Sequence, residues 1–530
     1  MIFAIKFRSG VILFIVSIVI AMLAIGSLSL LVLLTTEYEA TLFRGDEIQA
    51  GQLVQSGIEF IGQTLHSSES ASMTEMEMSD SFYFSQQTTA EPSHFQQWYD
   101  NPALFCGVEV VPERVGRLSR GVGRFSVFSP RIEQDQLKGI RFGLVNESTR
   151  LHLGAVLEWE TETPGQGLQA LLKLPGITPT IAEAILDWID ANKTPRSSGA
   201  ELDYYEQTGV AYRPRNAIPA TLEELLLVRD VTRPLLFGTD EKFLYGTNIN
   251  DLRQPQTTTY SQNDLLFQPH NEIEEINETT STESPTTDST FFFDDWAETN
   301  HGNGTRLPWC FLLTTHSAEK LVDPIGNAKI FLNDPNLEFL NEQLNLHLDN
   351  ESCQFIMAWR KNNGLIPDPV DLLDAVVQEK ENSQEWKSPF SLDNSVGEEK
   401  FLTLLDRTSV SSEIVIAGRI NVNEAPRIVL EMVPELNSQT VTQILNHRNK
   451  TNEKKQNKYR HLVWLLAEKI VDKETMKKLS KRLTTGGDVY RAQVIGFFDG
   501  QGTMSRVEVV IDDTVKPPRP IFIKDLTNSL

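Results

Sequence analysis

The longest apolar pattern lies at the start of the chain. Residues 1–10, MIFAIKFRSG, carry Lys6 and Arg8 and no acid, and Val11 to Leu34 then run 24 residues without a charge. Such a run crosses a ~30 Å hydrocarbon layer as a helix, whereas a cleaved secretory signal has an apolar middle of about 7–15 residues and a small-residue cleavage site. Here Thr35-Thr36-Glu37-Tyr38-Glu39 follows, with no A-x-A motif, so the run reads as a retained single-pass anchor. The basic flank precedes the span and acids follow it, which places residues 1–10 in the cytoplasm and the bulk of the chain on the far side, the periplasm in a bacterium. Apolar positions continue beyond the lipid at Leu42, Phe43, Ile48, Leu53, Val54, Ile58, Ile61 and Leu65, and no proline interrupts Val11 to Leu65. The pattern predicts one helix over 11–65, about 80 Å long at ~1.5 Å per residue, whose outer half needs a cover for one apolar stripe.

The texture then changes several times. Residues 66–97, rich in Ser, Thr, Met, Gln and Glu, read as a loop. From Val108 to Trp159 the runs GVEVVPE, GRFSVFS, GIRFGLVNE and LHLGAVLEW read as antiparallel strands. Residues 165–238 read as helical. Within them LLKLPGITPTIAEAILDWIDAN is similar to a helix-hairpin-helix, with Leu174-Pro175-Gly176-Ile177 as the turn and Ala182, Ile185 and Leu186 on one face of its second helix. A related pattern spans 421–448, with a fainter echo at 220–232. Residues 254–305 hold ten acids and no Lys or Arg, and read as a solvated, disordered insertion carrying Phe291-Phe292-Phe293. Globular pattern returns over 321–380, partly helical around Pro335–Arg360. At the C-terminus DVYRAQVIGFFDGQG and MSRVEVVIDDT form a hairpin pattern, and KPPRPIFIKDL a proline-flanked edge strand. Early and late strands are expected to share one sheet, with helical modules inserted between them.

Charge and composition narrow the chemistry. Against 48 Lys+Arg stand 72 Asp+Glu, a net charge of -24, which disfavours a broad nucleic-acid surface. Cys106, Cys310 and Cys353 are too few and scattered for a disulfide scaffold or zinc site, and their disulfide state stays open. Nine His residues form no H-x-x-x-H or H-E-x-x-H pair, and G-x-S-x-G, Walker and G-x-G-x-x-G motifs are absent, so no enzyme is expected.

A membrane-anchored DNA receptor is the alternative worth testing against the hairpins. Such a motif binds phosphate through backbone N–H groups exposed by glycines, usually beside a Lys. Thr178 replaces the second glycine of the first hairpin, Thr180 takes a basic position, and Glu435 stands at the first glycine position of the second. A carboxylate there repels phosphate. The hairpins therefore read as packing elements, and the basic cluster 450–460, KTNEKKQNKYR, remains the best candidate for DNA.

The N-terminus resembles a type IV pilin-like protein, in which a basic leader ending in Gly is cut by a prepilin peptidase. The matching residues are Gly10 and Val11, the latter as the new, usually methylated, N-terminus. Most such proteins carry Glu at the fifth mature position, where this chain has Ile15. Further motifs resemble the type II secretion minor pseudopilin K family: Asp187-Trp188-Ile189-Asp190, Gly199-Ala200-Glu201, Tyr204 or Tyr205, Glu224-Leu225 and Val228-Arg229. Asn421-Val422-Asn423-Glu424-Ala425-Pro426 is similar to its Asn-x-Asn-Thr-Ala-Pro segment with Glu424 for Thr, and Asn146 and Glu147 to a worn family strand. Ile15 fits that family's usual pattern.

The resemblance implies an α+β fold: a pilin-like transmembrane helix on an antiparallel sheet, with inserted SAM-like, helix-hairpin-helix modules. The division is a prepilin leader at 1–10, the pilin helix at 11–65 and a loop with first strands at 66–160. A first helical domain at 161–240 precedes the acidic insertion at 254–305. A second globular insertion at 306–415, a second hairpin module at 416–482 and closing strands at 483–530 complete it. The implied role is at the tip of the pseudopilus in the general secretion pathway, initiating or capping its assembly for protein export across the outer membrane. Implied partners are the I- and J-type minor pseudopilins, the major pseudopilin, prepilin peptidase and the inner membrane, with no nucleic acid. Some family members bind calcium. Asp187, Asp190 and Asn192 have a spacing that could supply some ligands, but capping a helix end or facing water is the preferred reading, and no ligand is assigned.

Overall fold

The computed structural model describes residues 9–71, 101–110, 121–133, 135–209, 212–238, 307–378, 385–448, 459–499 and 503–527. The leader residues 1–8, most of the 66–97 loop, the 254–305 insertion with its Phe291–Phe293, and 450–458 of the basic cluster lie outside these residues.

Helix α1 runs unbroken over Ser9–Ala71, 63 residues. Its first half is bare: Leu13, Phe14, Ile18, Met22, Leu28 and Leu34 are all exposed. Two of its hydroxyls bond within the helix, Ser17 Oγ donating to Leu13 O at 2.9 Å and Ser27 Oγ to Ala24 O at 3.0 Å, which suits an apolar surrounding. This is the one described helix long and apolar enough to cross a membrane. Its second half buries Ala50, Leu53, Val54, Ile58, Ile61 and Leu65, the three- and four-residue spacing of one helix face.

That face lies on a seven-stranded sheet drawn from both ends of the chain. The early strands are β1 (Val108–Val110), β2 (Gly123–Glu133), β3 (Gln136–Arg141) and β4 (Val145–Asn146). The late ones are β5 (Val489–Phe498), β6 (Ser505–Asp512) and β7 (Arg519–Asp525). The order is β1-β2-β5-β6-β7, with β3 on β2 and β4 on β5, and the described pairings are antiparallel. Early and late segments meet where Val494 pairs with Val127. Between α1 and the sheet sits an apolar core that includes Ile58, Ile61, Phe125, Val127, Val494, Phe497 and Val509. Close approach is built on glycine: a Cβ on Gly496 would lie 2.4 Å from Ala50 O, and one on Gly57 2.5 Å from Val494 Cγ1.

Between β4 and β5 the chain is mainly helical. Among the described residues the α-helices of six or more residues are α2 (Leu153–Glu162), α3 (Gln166–Leu171), α4 (Pro179–Ile189), α5 (Leu202–Gln207), α6 (Leu337–His347), α7 (Asn350–Asn362), α8 (Ser395–Arg407), α9 (Arg427–Met432), α10 (Ser438–Arg448) and α11 (Lys473–Leu479). They share a second apolar core running from Leu151 to Leu483, with Trp188, Trp309 and Trp464 fully buried in it. Short parallel pairings, Leu151–His152 with Leu313–Thr314 and Ile420–Asn421 with Leu483–Thr484, tie distant parts of this body together. The architecture is thus the α+β, pilin-like one. One expectation fails: LHLGAVLEW is a strand only at Leu151–His152 and then turns into α2. His152 caps the helix by accepting from Gly154 N at 2.9 Å, and Leu153, Val156 and Trp159 fall on one buried face three residues apart.

Candidate functional site

The residues singled out in the sequence fall into three places. Gly10 and Val11 lie in the first turn of α1, and their side chains are outside the described residues. Ile15 follows on the bare part of the helix, 51% exposed.

Asp187, Trp188, Asp190, Gly199 and Glu201 come together where α4 ends. Thr178 accepts from Ile181 N at 3.3 Å and Pro179 starts the helix, so the residue replacing a hairpin glycine serves as the N-cap. At the other end Asp187 and Asp190 are buried rather than facing water. Arg196 Nη1 donates to Asp187 Oδ1 at 2.6 Å and to Asp190 Oδ2 at 2.7 Å, and Arg196 N donates to Asp187 Oδ2 at 3.1 Å. Asp190 Oδ1 accepts from Asn192 N at 3.1 Å, Asn192 Oδ1 from Thr194 N at 2.8 Å, and Asn192 O from Asn216 Nδ2 at 2.6 Å. Gly199 must be glycine, because its Cβ would fall 1.9 Å from Asp187 Oδ2. Trp188 packs edge-on to Tyr205 at 5.6 Å and donates its Nε1 proton to Glu224 Oε1 at 3.1 Å. Arg229 lies over Tyr204 at 4.6 Å and donates to Gly199 O at 3.2 Å. The family-like motif is therefore a folding cross-link that holds the 190–200 loop on α4.

Glu201 is buried and its Oε1 has no partner. Burial, reinforced by the Asp187 and Asp190 charges, pushes its pKa up to about 7. A calcium ion needs ~6–8 oxygen ligands. The residues present do not fit one: Arg196 occupies the facing oxygens of Asp187 and Asp190, and among the described residues no three acidic, His or Cys side chains converge as metal ligands.

Asn421, Asn423 and Pro426 make a separate turn with no hydrogen bond to the first cluster. Asn421 Oδ1 accepts from Asn423 N at 3.0 Å, Asn423 Nδ2 donates to Tyr459 O at 2.9 Å, and Pro426 is the cap residue of α9. The two hairpins face inward. Pro175 O accepts from Trp309 Nε1 at 2.9 Å, Lys173 Nζ donates to Glu431 O at 2.5 Å, and the Glu435 carboxylate, at φ +72°, is paired with Arg482. Both turns are occupied by the chain's own side chains.

Sequence reading missed a further cluster where the helical body meets the sheet. Glu147, fully buried just after β4, accepts from Arg491 Nε of β5 at 2.6 Å and from Thr314 Oγ1, and pairs with Arg150 at 3.2 Å. Arg491 also holds Glu508 of β6 at 2.8 Å. Burial alone would raise the Glu147 pKa, but Arg491 and Arg150 outweigh it and hold the carboxyl at about 2. Burial lowers the pKa of His152 and His316 nearby. Arg491 inside an apolar strand was the available signal.

With this geometry in view, comparison with known families gives one match. The family described as type II secretion system (T2SS), protein K, matches over residues 150–236, the segment that contains α2 to α5 and the Asp187–Arg196 cross-link. No curated protein matches the chain. The chain is thus similar to that family over this helical segment, which sits beside a long apolar helix and the antiparallel sheet that covers its second half.

Proposed function

We propose that this chain is the minor pseudopilin at the tip of the type II secretion pseudopilus, where it initiates or caps assembly. The observation that carries the reading is Ile15: the anchor has no carboxylate between Val11 and Leu34. A carboxylate in lipid needs a partner, in pilin-like assemblies the α-ammonium of a neighbouring subunit. A subunit without one has nothing to neutralise the amine of a subunit stacked above it, so it suits the last position. The helical body beyond the sheet adds bulk at that end. In this reading 1–10 is a leader removed after Gly10 by prepilin peptidase, with the N-terminus cytoplasmic and the body periplasmic at the inner membrane. I- and J-type minor pseudopilins and the major pseudopilin pack along α1. No metal and no catalysis are required. The inward-facing hairpins support assembly over a DNA receptor, because Trp309 packs on the first turn through Pro175 O and the second carries the Glu435 carboxylate, paired with Arg482, which repels phosphate.

The test is the N-terminal mass of the full chain purified from membranes of its native host. A chain starting at Val11 with one added methyl is expected. A chain still starting at Met1 overturns the pseudopilin reading and makes DNA binding the next assay.

A further inference from the structure

The sheet ends on β7, and among the described residues nothing pairs with its outer side. One bond fixes which way its backbone groups point: Leu526 N donates to Arg506 O of β6 at 2.8 Å. Successive residues of an antiparallel strand direct their N–H and C=O groups to opposite sides. Lys524 and Phe522, in register with Glu508 and Val510, therefore bond inward to β6, and Ile523 and Asp525 offer their backbone groups outward, while the register shifts at Ile521, between Phe522 and Pro520. Side chains alternate between the two faces. Phe522 lies under Arg491 at 5.8 Å and Lys524 reaches Glu223 at 2.8 Å, both on the face toward the helical body. Ile523, paired with Val509 of the α1 core, thus projects on the α1 face, 53% exposed, and Ile521 at the register shift beside it is 40% exposed. Ile523 presents an apolar side chain and outward backbone groups together, and Ile521 extends the apolar surface.

Edge strands are usually blunted by prolines, charges or shortness. β1, an edge on the far side, is three residues long. In β7 the prolines 517, 518 and 520 remove N–H groups only before Ile521, and the Lys524 ammonium is drawn to the other face. The edge also adjoins α1: Pro518 O lies 4.0 Å from the Cβ position of Gly62. Below that point α1 exposes Leu42, Phe43 and Ile48. Helix surface and strand edge are continuous, so a subunit whose own long helix lies alongside α1 carries its sheet to the level of β7.

We propose that β7 receives an extended strand from a neighbouring pilin-like subunit, apolar at alternate positions toward the helix face and free of proline along the pairing. The proposal rests on the assembly reading above. The experiment is affinity purification of the tagged full chain in mild detergent from its native host. Captured chains are identified by mass spectrometry as pilin-like from their own N-terminal apolar helix. Wild type is compared with Ile521→Lys/Ile523→Lys, which charges the exposed face, and with Ile523→Pro, which removes one outward N–H and no ladder bond.

Both variants are expected to lose a captured pilin-like subunit by about tenfold or more, with unchanged unfolding midpoints. Equal capture by wild type and both variants overturns the strand-edge proposal and leaves the assembly reading standing. No pilin-like chain captured by wild type overturns both. Self-association of wild type abolished by the variants makes a second copy the occupant, which also overturns the proposal.

Discussion

The two faces of the sheet are stabilised in opposite ways. Toward α1 the contact is dry: Ile58, Ile61, Val127, Val494 and Val509 interlock, with glycines at 57 and 496 admitting the helix. Toward the helical body the contact is polar, built on buried Glu147 and Arg150 with half-buried Arg491 and Glu508, beside a cavity of about 50 Å³ lined by Arg150, Arg491, Glu508, Cys310, His316 and Phe522. Apolar contact is tolerant of approximate partners but sensitive to volume, whereas a buried ion network depends on every member. The first face therefore sets how closely the helix docks, and the second fixes one orientation of the helical body on the sheet.

Substitutions can separate the two. The largest effect is expected from Arg491→Met, which leaves Glu147 buried with only Arg150 as a countercharge and should cost about 3–5 kcal/mol in denaturant unfolding. A cost below about 1 kcal/mol would mean that water reaches Glu147 and that the two faces do not differ in kind. Gly496→Val comes next. Its side chain would meet the backbone of α1 at Ala50 and Val54, and about 3 kcal/mol is expected, insensitive to pH and salt.

Acid should weaken the polar face, whereas the α4 cluster responds in the opposite sense, because Glu201, raised to about 7, contributes stability that is lost as pH rises from about 4.5 through 7. His152 and His316 are held below the ordinary 6.5, so the unfolded chain protonates first. The histidines' contribution is full above about pH 6.5 and falls as pH drops below it, until the native histidines protonate as well. Glu147 adds a second decline from about pH 4.5 to about 2, because its folded pKa is depressed from 4.5. Unfolding midpoints measured from pH 8 to pH 3 check this, and a flat profile would refute it. The smallest effect is expected from His152→Asn, which keeps an acceptor for Gly154 N and removes one titrating group. It should cost about 1 kcal/mol at pH 8 and flatten the decline below pH 6.5.

The same contrast explains what could be read in advance. Leu53, Val54, Ile58, Ile61 and Leu65 announce a covered helix face by spacing alone, and β5 and β6 by alternation. Spacing says nothing about which charges meet: Glu147 and Arg491 are 344 positions apart. Asp187 and Asp190 looked like helix-end or surface acids because the guanidinium that buries them, Arg196, sits in a loop with no periodicity. LHLGAVLEW carries alternating apolar residues into a helix because a capping histidine and a three-residue spacing outweigh alternation once tertiary contacts form. The motif residues at Asn421, Asn423 and Pro426 were legible as a group, and their turn keeps them so.

The interleaving of early and late strands has a consequence in time. Leu65 is synthesised roughly 450 residues before the end of β6, the strand that helps to cover it, and at about 5–20 residues per second this interval lasts on the order of 20 to 90 seconds. Throughout it the apolar face of α1 has only the early strands β1 to β3 to lie on, because β2 cannot pair with β5 before β5 exists. The helical body, whose second core closes by Leu483, can collapse first and hold the two halves of the sheet in waiting. Biogenesis of this chain is thus ordered from the middle outward, and a truncation that removes only its last forty residues should leave the anchor inserted with only the early strands to cover its docking face.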